Sequence, residues 1–234
     1  MSAARPPRPI DRAVITAQSQ EDVVVGNEIV RHDRASRLIH WSVSLTFFLC
    51  VFTGMPIWTP VFRWMAPLFG GLSVCRVIHP YAGVAFFVFT IAMFVQWLPD
   101  MHLAPGERRE WVSGGRAMQY MRYETDDSNV GKYNGGQKLQ FWLVCLAALG
   151  LLLSGLMMWF PGALPRLLME FAYVIHDVTF ILFAMLIVIH IYLGTAAEPG
   201  TFGSMTRGTV TKAWARLHHG RWFREVTGEE QRRG

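Results

Sequence analysis

Residues 171–194 read FAYVIHDVTFILFAMLIVIHIYLG. Asp177 is the single formal charge in this run, and it sits near one end. At a rise of about 1.5 Å per residue, a helix of this length crosses a hydrocarbon layer of about 30 Å. Two histidines interrupt the apolar pattern, His176 and His190, 14 residues apart. Fourteen steps of about 100° fall about 40° short of four full turns, so both rings leave one face of the helix. Along the axis they are about 21 Å apart. An ionisable side chain in hydrocarbon is costly, and its presence points to function.

Outward from this run, three more segments have the same length and character: Leu38–Trp58, Val77–Leu98 and Leu139–Phe160. With Phe171–Gly194 they make four spans, none of which contains Lys, Arg or Glu. The predicted fold class is all-α, an integral membrane four-helix bundle. Of the 234 residues, 52% are hydrophobic and only 17% are charged. A soluble domain carries about 25% charged residues. Trp58, Trp97, Trp159, Tyr173 and Tyr192 mark span ends, as an interfacial aromatic belt does. The net charge of +5 is concentrated between the spans. It therefore belongs with a membrane surface rather than with nucleic acid.

Lys and Arg are unevenly shared among the loops. Arg31, Arg34 and Arg37 precede the first span; Arg108, Arg109, Arg116, Arg122, Lys132 and Lys138 lie between the second and third; Arg207, Lys212, Arg216, Arg221 and Arg224 follow the fourth. The two opposite loops hold Arg63 and Arg76, then Arg166. Positive charge marks the cytoplasmic side, so both termini are expected there. The chain divides into a flexible N-terminal tail over 1–30, a four-helix domain over 31–200 and a basic amphipathic cytoplasmic tail over 201–234. In that last tail Trp214, Leu217, Trp222 and Phe223 alternate with basic residues over 210–226, a pattern that suits a helix lying on the inner membrane surface.

His40 and His79 join His176 and His190 within the spans. Depth pairs them. His40 opens the first span on the inner side and His190 nears the inner end of the fourth; His79 and His176 both open their spans on the outer side. Two bis-imidazole sites follow, one above the other. A structural zinc ion takes four protein ligands, whereas haem iron brings four ring nitrogens and needs two axial ligands. The three cysteines, Cys50, Cys75 and Cys145, form neither CxxC nor CxxCH, so covalent haem attachment is not signalled. Two haem b groups are thus expected, their irons ligated by His40 with His190 and by His79 with His176. Six-coordinate iron disfavours oxygen activation and leaves one-electron transfer. Arg37 and Arg76 each stand three residues before a ligand, in RLIH and RVIH, placed to pair with haem propionates.

The stretch GKYNGGQK at 131–138 enters the third span on the inner side. It offers amide donors and glycines to a carbonyl-bearing quinone, and it also reads as a polar turn entering a helix. RLIHW at 37–41, RVIHP at 76–80, GKYNGGQK at 131–138, YVIHD and VIHIY in the fourth span and WARLHHGRWFRE at 214–225 together resemble the gamma subunit of respiratory formate dehydrogenase, its cytochrome b subunit. The histidine pattern is shared with the cytochrome b subunits of nickel-iron hydrogenase and thiosulfate reductase. The resemblance covers about residues 30–228. It implies an iron–sulfur beta subunit delivering electrons at the outer face, a catalytic alpha subunit with molybdenum or tungsten that oxidises formate, and menaquinone or ubiquinone reduced near the inner haem. It further implies that Asn134, Gly136 and Gln137 belong to the quinone site, beside His190. Localisation would be the bacterial cytoplasmic membrane. His102, Glu124, Asp126 and Asp127 are loop candidates for proton delivery. A cytochrome b subunit of a hydrogenase or other periplasmic oxidoreductase, or a haem-free transporter, are the alternative readings.

Overall fold

The computed structural model describes residues 9–10, 23–103, 108–109, 113, 119 and 126–228. Four long helices dominate: α1 (Arg34–Trp58), α2 (Leu72–Trp97), α3 (Gly135–Trp159) and α4 (Arg166–Tyr192). All four are long and apolar enough to cross a membrane. Each begins four or five residues before its expected span. The difference is physical. Hydropathy senses only the hydrocarbon-buried turns, while backbone hydrogen bonding carries the helix on into the headgroup layer, where residues such as Arg34 and Arg166 are exposed. Between α1 and α2, a 3-10 segment (Pro60–Phe69) is capped by Thr59, whose hydroxyl accepts the Val61 N–H, and ends at Gly70.

The described residues fall into two compact units. The first comprises Ile39–Val95 and Trp142–Val188, the bulk of the four long helices. Its centre is a trio of aromatic rings, Phe47, Phe86 and Phe183, with centroids 5.0–6.0 Å apart. Phe183 is 2% exposed, whereas Val174, Leu182 and Val188 on the same helix are more than half exposed. An apolar outside around a small buried centre is what a lipid-facing bundle requires. Buried hydroxyls are satisfied within their own helices: Thr90 donates to the Phe86 carbonyl at 2.8 Å.

The second unit gathers the described residues of Met1–Leu38, Gln96–Phe141 and Ile189–Gly234. It contains a three-stranded antiparallel sheet in the order β1 (Val24–Val25), β2 (Glu28–Val30), β3 (Thr209–Thr211). Gly26, with φ +60°, and Asn27 form the tight β1–β2 turn. Ile29 pairs with Val210 across β2 and β3. Three short helices complete the unit: α5 (Thr201–Thr206), α6 (Lys212–His218) and α7 (Gly220–Thr227).

Two expectations need correction here. The end of the proposed flexible tail, Val24–Val30, is folded into the sheet, because Ile29 and Val30 find a buried partner surface and are 0% exposed. The rest of that tail lies mostly outside the described residues. The aromatic residues after α4 do not form one continuous amphipathic helix. Trp214, Trp222 and Phe223 are buried at 6%, 2% and 3% exposure in a core with Ile29, Val210 and Ala215. Only Leu217 of the expected apolar face stays exposed, at 69%.

Candidate haem site

His79 on α2 and His176 on α4 face each other within the first unit, with ring centroids 6.2 Å apart and ring planes at 70°. An imidazole nitrogen sits about 2 Å from a bound first-row metal, and the ring centre about 1.1 Å beyond it, so two rings on opposite sides of one iron have centres about 6.2 Å apart. The spacing fits a single bis-imidazole iron.

The partners of each ring fix its tautomer. His79 Nδ1 lies 3.1 Å from the Cys50 carbonyl and 3.3 Å from Thr53 Oγ1. A carbonyl only accepts, so Nδ1 carries the proton and Nε2 the lone pair. His176 Nδ1 lies 2.9 Å from Ser154 Oγ, whose own proton goes to the Gly150 carbonyl at 2.7 Å. Nδ1 is again the donor, which leaves the lone pair on Nε2. Outer hydrogen bonds of this kind orient a metal-binding imidazole and raise its basicity.

Both rings sit against a backbone without a side chain. A Cβ on Gly54 would lie 2.8 Å from His79 Cε1, and one on Gly155 would lie 3.5 Å from His176 Cε1. The two histidines line a cavity of about 780 Å³ together with Val51, Phe86, Leu151 and Leu152. That volume is in the range of about 300–1,000 Å³ common for cofactor sites. Arg76, Trp58, Tyr173 and Asp177 give the cavity its polar lining, and Trp58 Nε1 donates to Asp177 Oδ2 at 3.0 Å. A flat apolar macrocycle with charged propionates matches such a surface. Among the described residues no three His, Cys, Asp or Glu side chains converge as a metal-ion site. Two ligands suit an iron that brings its other four with it.

The other expected site residues are placed as follows. His40 is in the second turn of α1, half-buried, its ring edge-on to Trp41 at 5.2 Å. His190 lies in the last turn of α4. Arg37 donates from Nη1 to the Thr206 carbonyl at 2.7 Å, and its Nε is buried without a hydrogen-bond partner among the described residues. Asn134 is the residue before α3, and with Gln137 it forms a reciprocal capping box. The Gln137 N–H donates to Asn134 Oδ1 at 2.8 Å, and the Asn134 N–H donates to Gln137 Oε1 at 3.0 Å. Gly135 and Gly136 are the intervening residues at the start of the helix. Of the loop acids, Asp126 accepts the Ser128 N–H at 2.9 Å, and Glu124 lies outside the described residues. Burial raises the pKa of Glu198, which follows α4 and was not among the expected acids.

The profile of the prokaryotic cytochrome b561 family matches residues 31–208. The chain belongs to that family. Haem b is accordingly its cofactor, and with four membrane-capable helices it is a multi-pass protein of the bacterial cytoplasmic membrane. Its relatives include the nitrate-inducible formate dehydrogenase cytochrome b556(Fdn) subunit of Escherichia coli, 31% identical over 88% of this chain and 94% of that protein. A second Escherichia coli relative, the formate dehydrogenase cytochrome b556(fdo) subunit, is 30% identical over 85% of this chain and 93% of its own length. The formate dehydrogenase cytochrome b556 subunit of Haemophilus influenzae is 30% identical over 88% and 87%. In this prokaryotic cytochrome b561, Thr53 and the Cys50 carbonyl hold the His79 ring, supports that sequence spacing did not reveal.

Proposed function

We propose that this chain is the membrane cytochrome b subunit of a formate dehydrogenase complex, carrying electrons from an iron–sulfur subunit to the quinone pool. The observation that carries the reading is the His79–His176 pair, ring centroids 6.2 Å apart, with each Nδ1 engaged by its own hydrogen-bond partner and each Nε2 lone pair left for iron. Near-full-length similarity to cytochrome b556 subunits of formate dehydrogenases supplies the reaction. Bound haem would supply reversible one-electron chemistry, with His79 and His176 as the residues that would hold its iron.

A second haem is held by His40 and His190. His190 shares a helix face with His176 by register, about 21 Å further along α4. Arg37 and Arg76 stand as propionate partners. The buried, unpartnered Nε of Arg37 and the position of Arg76 on the cavity wall support those roles. Asn134, Gly136 and Gln137 form the quinone segment. The capping box occupies the acceptor oxygen of each amide, and the Gln137 NH2 is a donor of the kind a quinone carbonyl accepts. Menaquinone and ubiquinone share that carbonyl chemistry. Both termini face the cytoplasm, as the Lys and Arg distribution requires. The partners are an iron–sulfur beta subunit and a molybdenum- or tungsten-containing alpha subunit.

The test uses membranes containing the assembled complex. Anaerobic formate should reduce the haem of this chain, and a quinone analogue should reoxidise it. Reduction by hydrogen gas but not by formate would assign the chain to a hydrogenase instead.

A further inference from the structure

Three consecutive carbonyls ahead of α3 are each held by residues distant in sequence. The Val130 carbonyl accepts the N–H groups of Arg221 and Trp222 at 3.0 and 3.3 Å. The Gly131 carbonyl accepts Nδ1–H of His219 at 2.6 Å. The Lys132 carbonyl accepts Nη2–H of Arg31 at 2.6 Å. The Tyr133 hydroxyl then accepts Nε1–H of Trp97 at 2.7 Å. Asn134 and its capping box come next.

We propose that Arg31 and His219 are positioning residues for quinone binding: they fix the Gly131–Lys132 backbone and, through it, the amide pair of Asn134 and Gln137. The inference rests on the quinone assignment made above. A run containing Gly131, Gly135 and Gly136 has high backbone freedom, and ordering it requires external tethers. Arg31 and His219 are 4% and 1% exposed. Burying such groups is unfavourable, and apolar residues of similar volume would pack as well or better. What these two side chains add is directed N–H donors aimed at two adjacent carbonyls.

The surroundings hold both donors in one orientation. The Arg31 guanidinium lies 4.8 Å from the Trp214 ring centre, 5.3 Å from Trp222 and 5.6 Å from Tyr133. The His219 ring lies 5.0 Å from Trp214 and 6.1 Å from Trp222. Burial, aided by the Arg31 charge, pushes the His219 pKa well down. The ring is therefore neutral near pH 7, and its single N–H belongs to Nδ1, facing the Gly131 carbonyl. At Gly220 an added Cβ would lie 2.5 Å from the Ser128 carbonyl oxygen, so α7 meets the loop at backbone distance.

The experiment measures quinone KM in the assembled complex with two probes, a short-chain ubiquinone and a soluble naphthoquinone. His219→Phe keeps a ring among the tryptophans and removes the donor. It should raise KM about tenfold for the probe the enzyme uses, as loss of one buried hydrogen bond implies. Haem spectra and the formate-to-dye rate should not change. His219→Gln, which restores an N–H, should return KM to within about threefold of wild type. An unchanged KM in haem-replete His219→Phe overturns the proposal. Should that variant lose haem, Arg31→Lys is titrated instead, since it keeps the charge but not the planar fork, and an unchanged KM there overturns it equally. Asn134→Ala separates the two levels of inference. If it leaves KM unchanged, the quinone assignment fails and the positioning role with it. If it raises KM while His219→Phe does not, the positioning role alone fails.

Discussion

Gly54→Ala places a methyl group where the structure has no room for one. The new Cβ would lie 2.8 Å from His79 Cε1 and 3.1 Å from Nδ1. Ordinary contact begins near 3.4 Å. The obstacle is a ring held by the Cys50 carbonyl at 3.1 Å and Thr53 Oγ1 at 3.3 Å, not the loose end of a flexible chain. Relief demands a retreat of about 0.6 Å or more, which strains those hydrogen bonds or shifts the His79 ring relative to His176. Overpacking costs about 1–3 kcal/mol. Helix propensity acts the other way, since Ala is favoured over Gly by about 1 kcal/mol. A drop in haem affinity therefore reports the clash and not a weakened helix. About 2 kcal/mol corresponds to roughly 30-fold weaker haem binding. Gly155→Ala is the matched control, because its Cβ would rest at 3.5 Å from His176 Cε1. It should change affinity less than about threefold, there being no overlap to relieve. Haem transfer to an apoprotein scavenger, followed by absorbance, measures both. Equal retention in Gly54→Ala and wild type would refute the argument that His79 is seated against the α1 backbone.

Ser154→Ala removes the hydroxyl that orients His176 Nδ1 at 2.9 Å, and a lost outer partner typically costs about 10–100-fold in metal affinity. Haem retention and an altered low-spin electron paramagnetic resonance signal check it. Gly220→Ala drives a methyl into the Ser128 backbone, with contacts of 2.5–2.9 Å, and should cost about 1–3 kcal/mol, visible as a lower denaturation temperature. For pH, His219 is buried beside Arg31 and His218, and its folded pKa lies well below the usual 6.5. The unfolded chain then binds the extra proton, so stability is full above about pH 6.5 and falls as pH drops, by up to ~1.4 kcal/mol per unit for one proton. Glu198, raised above the usual 4.5, acts in the opposite sense, losing stability as pH rises past that value. His219→Phe removes only the first effect. Wild type should lose stability relative to this variant as pH falls from 7 toward 5; a constant difference would contradict it.

The four helices and the His79–His176 pair were legible in the sequence because long apolar runs have few alternative structures, and because an intramembrane imidazole stands out against them. The outer hydrogen bonds were not. Thr53 looks like any helical threonine, and it does bond back to the Leu49 carbonyl at 2.6 Å. Nothing in its spacing says that a ring from α2 also reaches it. The small sheet was hidden for another reason. Strands of two or three residues carry no period, and β2 meets β3 across some 180 residues of chain, as in Glu28 with Thr211. In sequence alone, Trp214 and Trp222 look like a membrane-facing stripe, because a basic, aromatic helix has the same pattern whether lipid or protein covers it. Of the two readings of GKYNGGQK, the helix-entry turn is the one visible in the structure, as the capping box of Asn134 and Gln137.

The most direct test counts haems by reduced-minus-oxidised spectroscopy after each intramembrane histidine is replaced by alanine. The account predicts that His79→Ala and His176→Ala leave the same single haem, with one midpoint potential, and that His40→Ala and His190→Ala leave the other. A residual haem that groups the four variants in any other pairs, or a wild-type protein that holds only one, would contradict it.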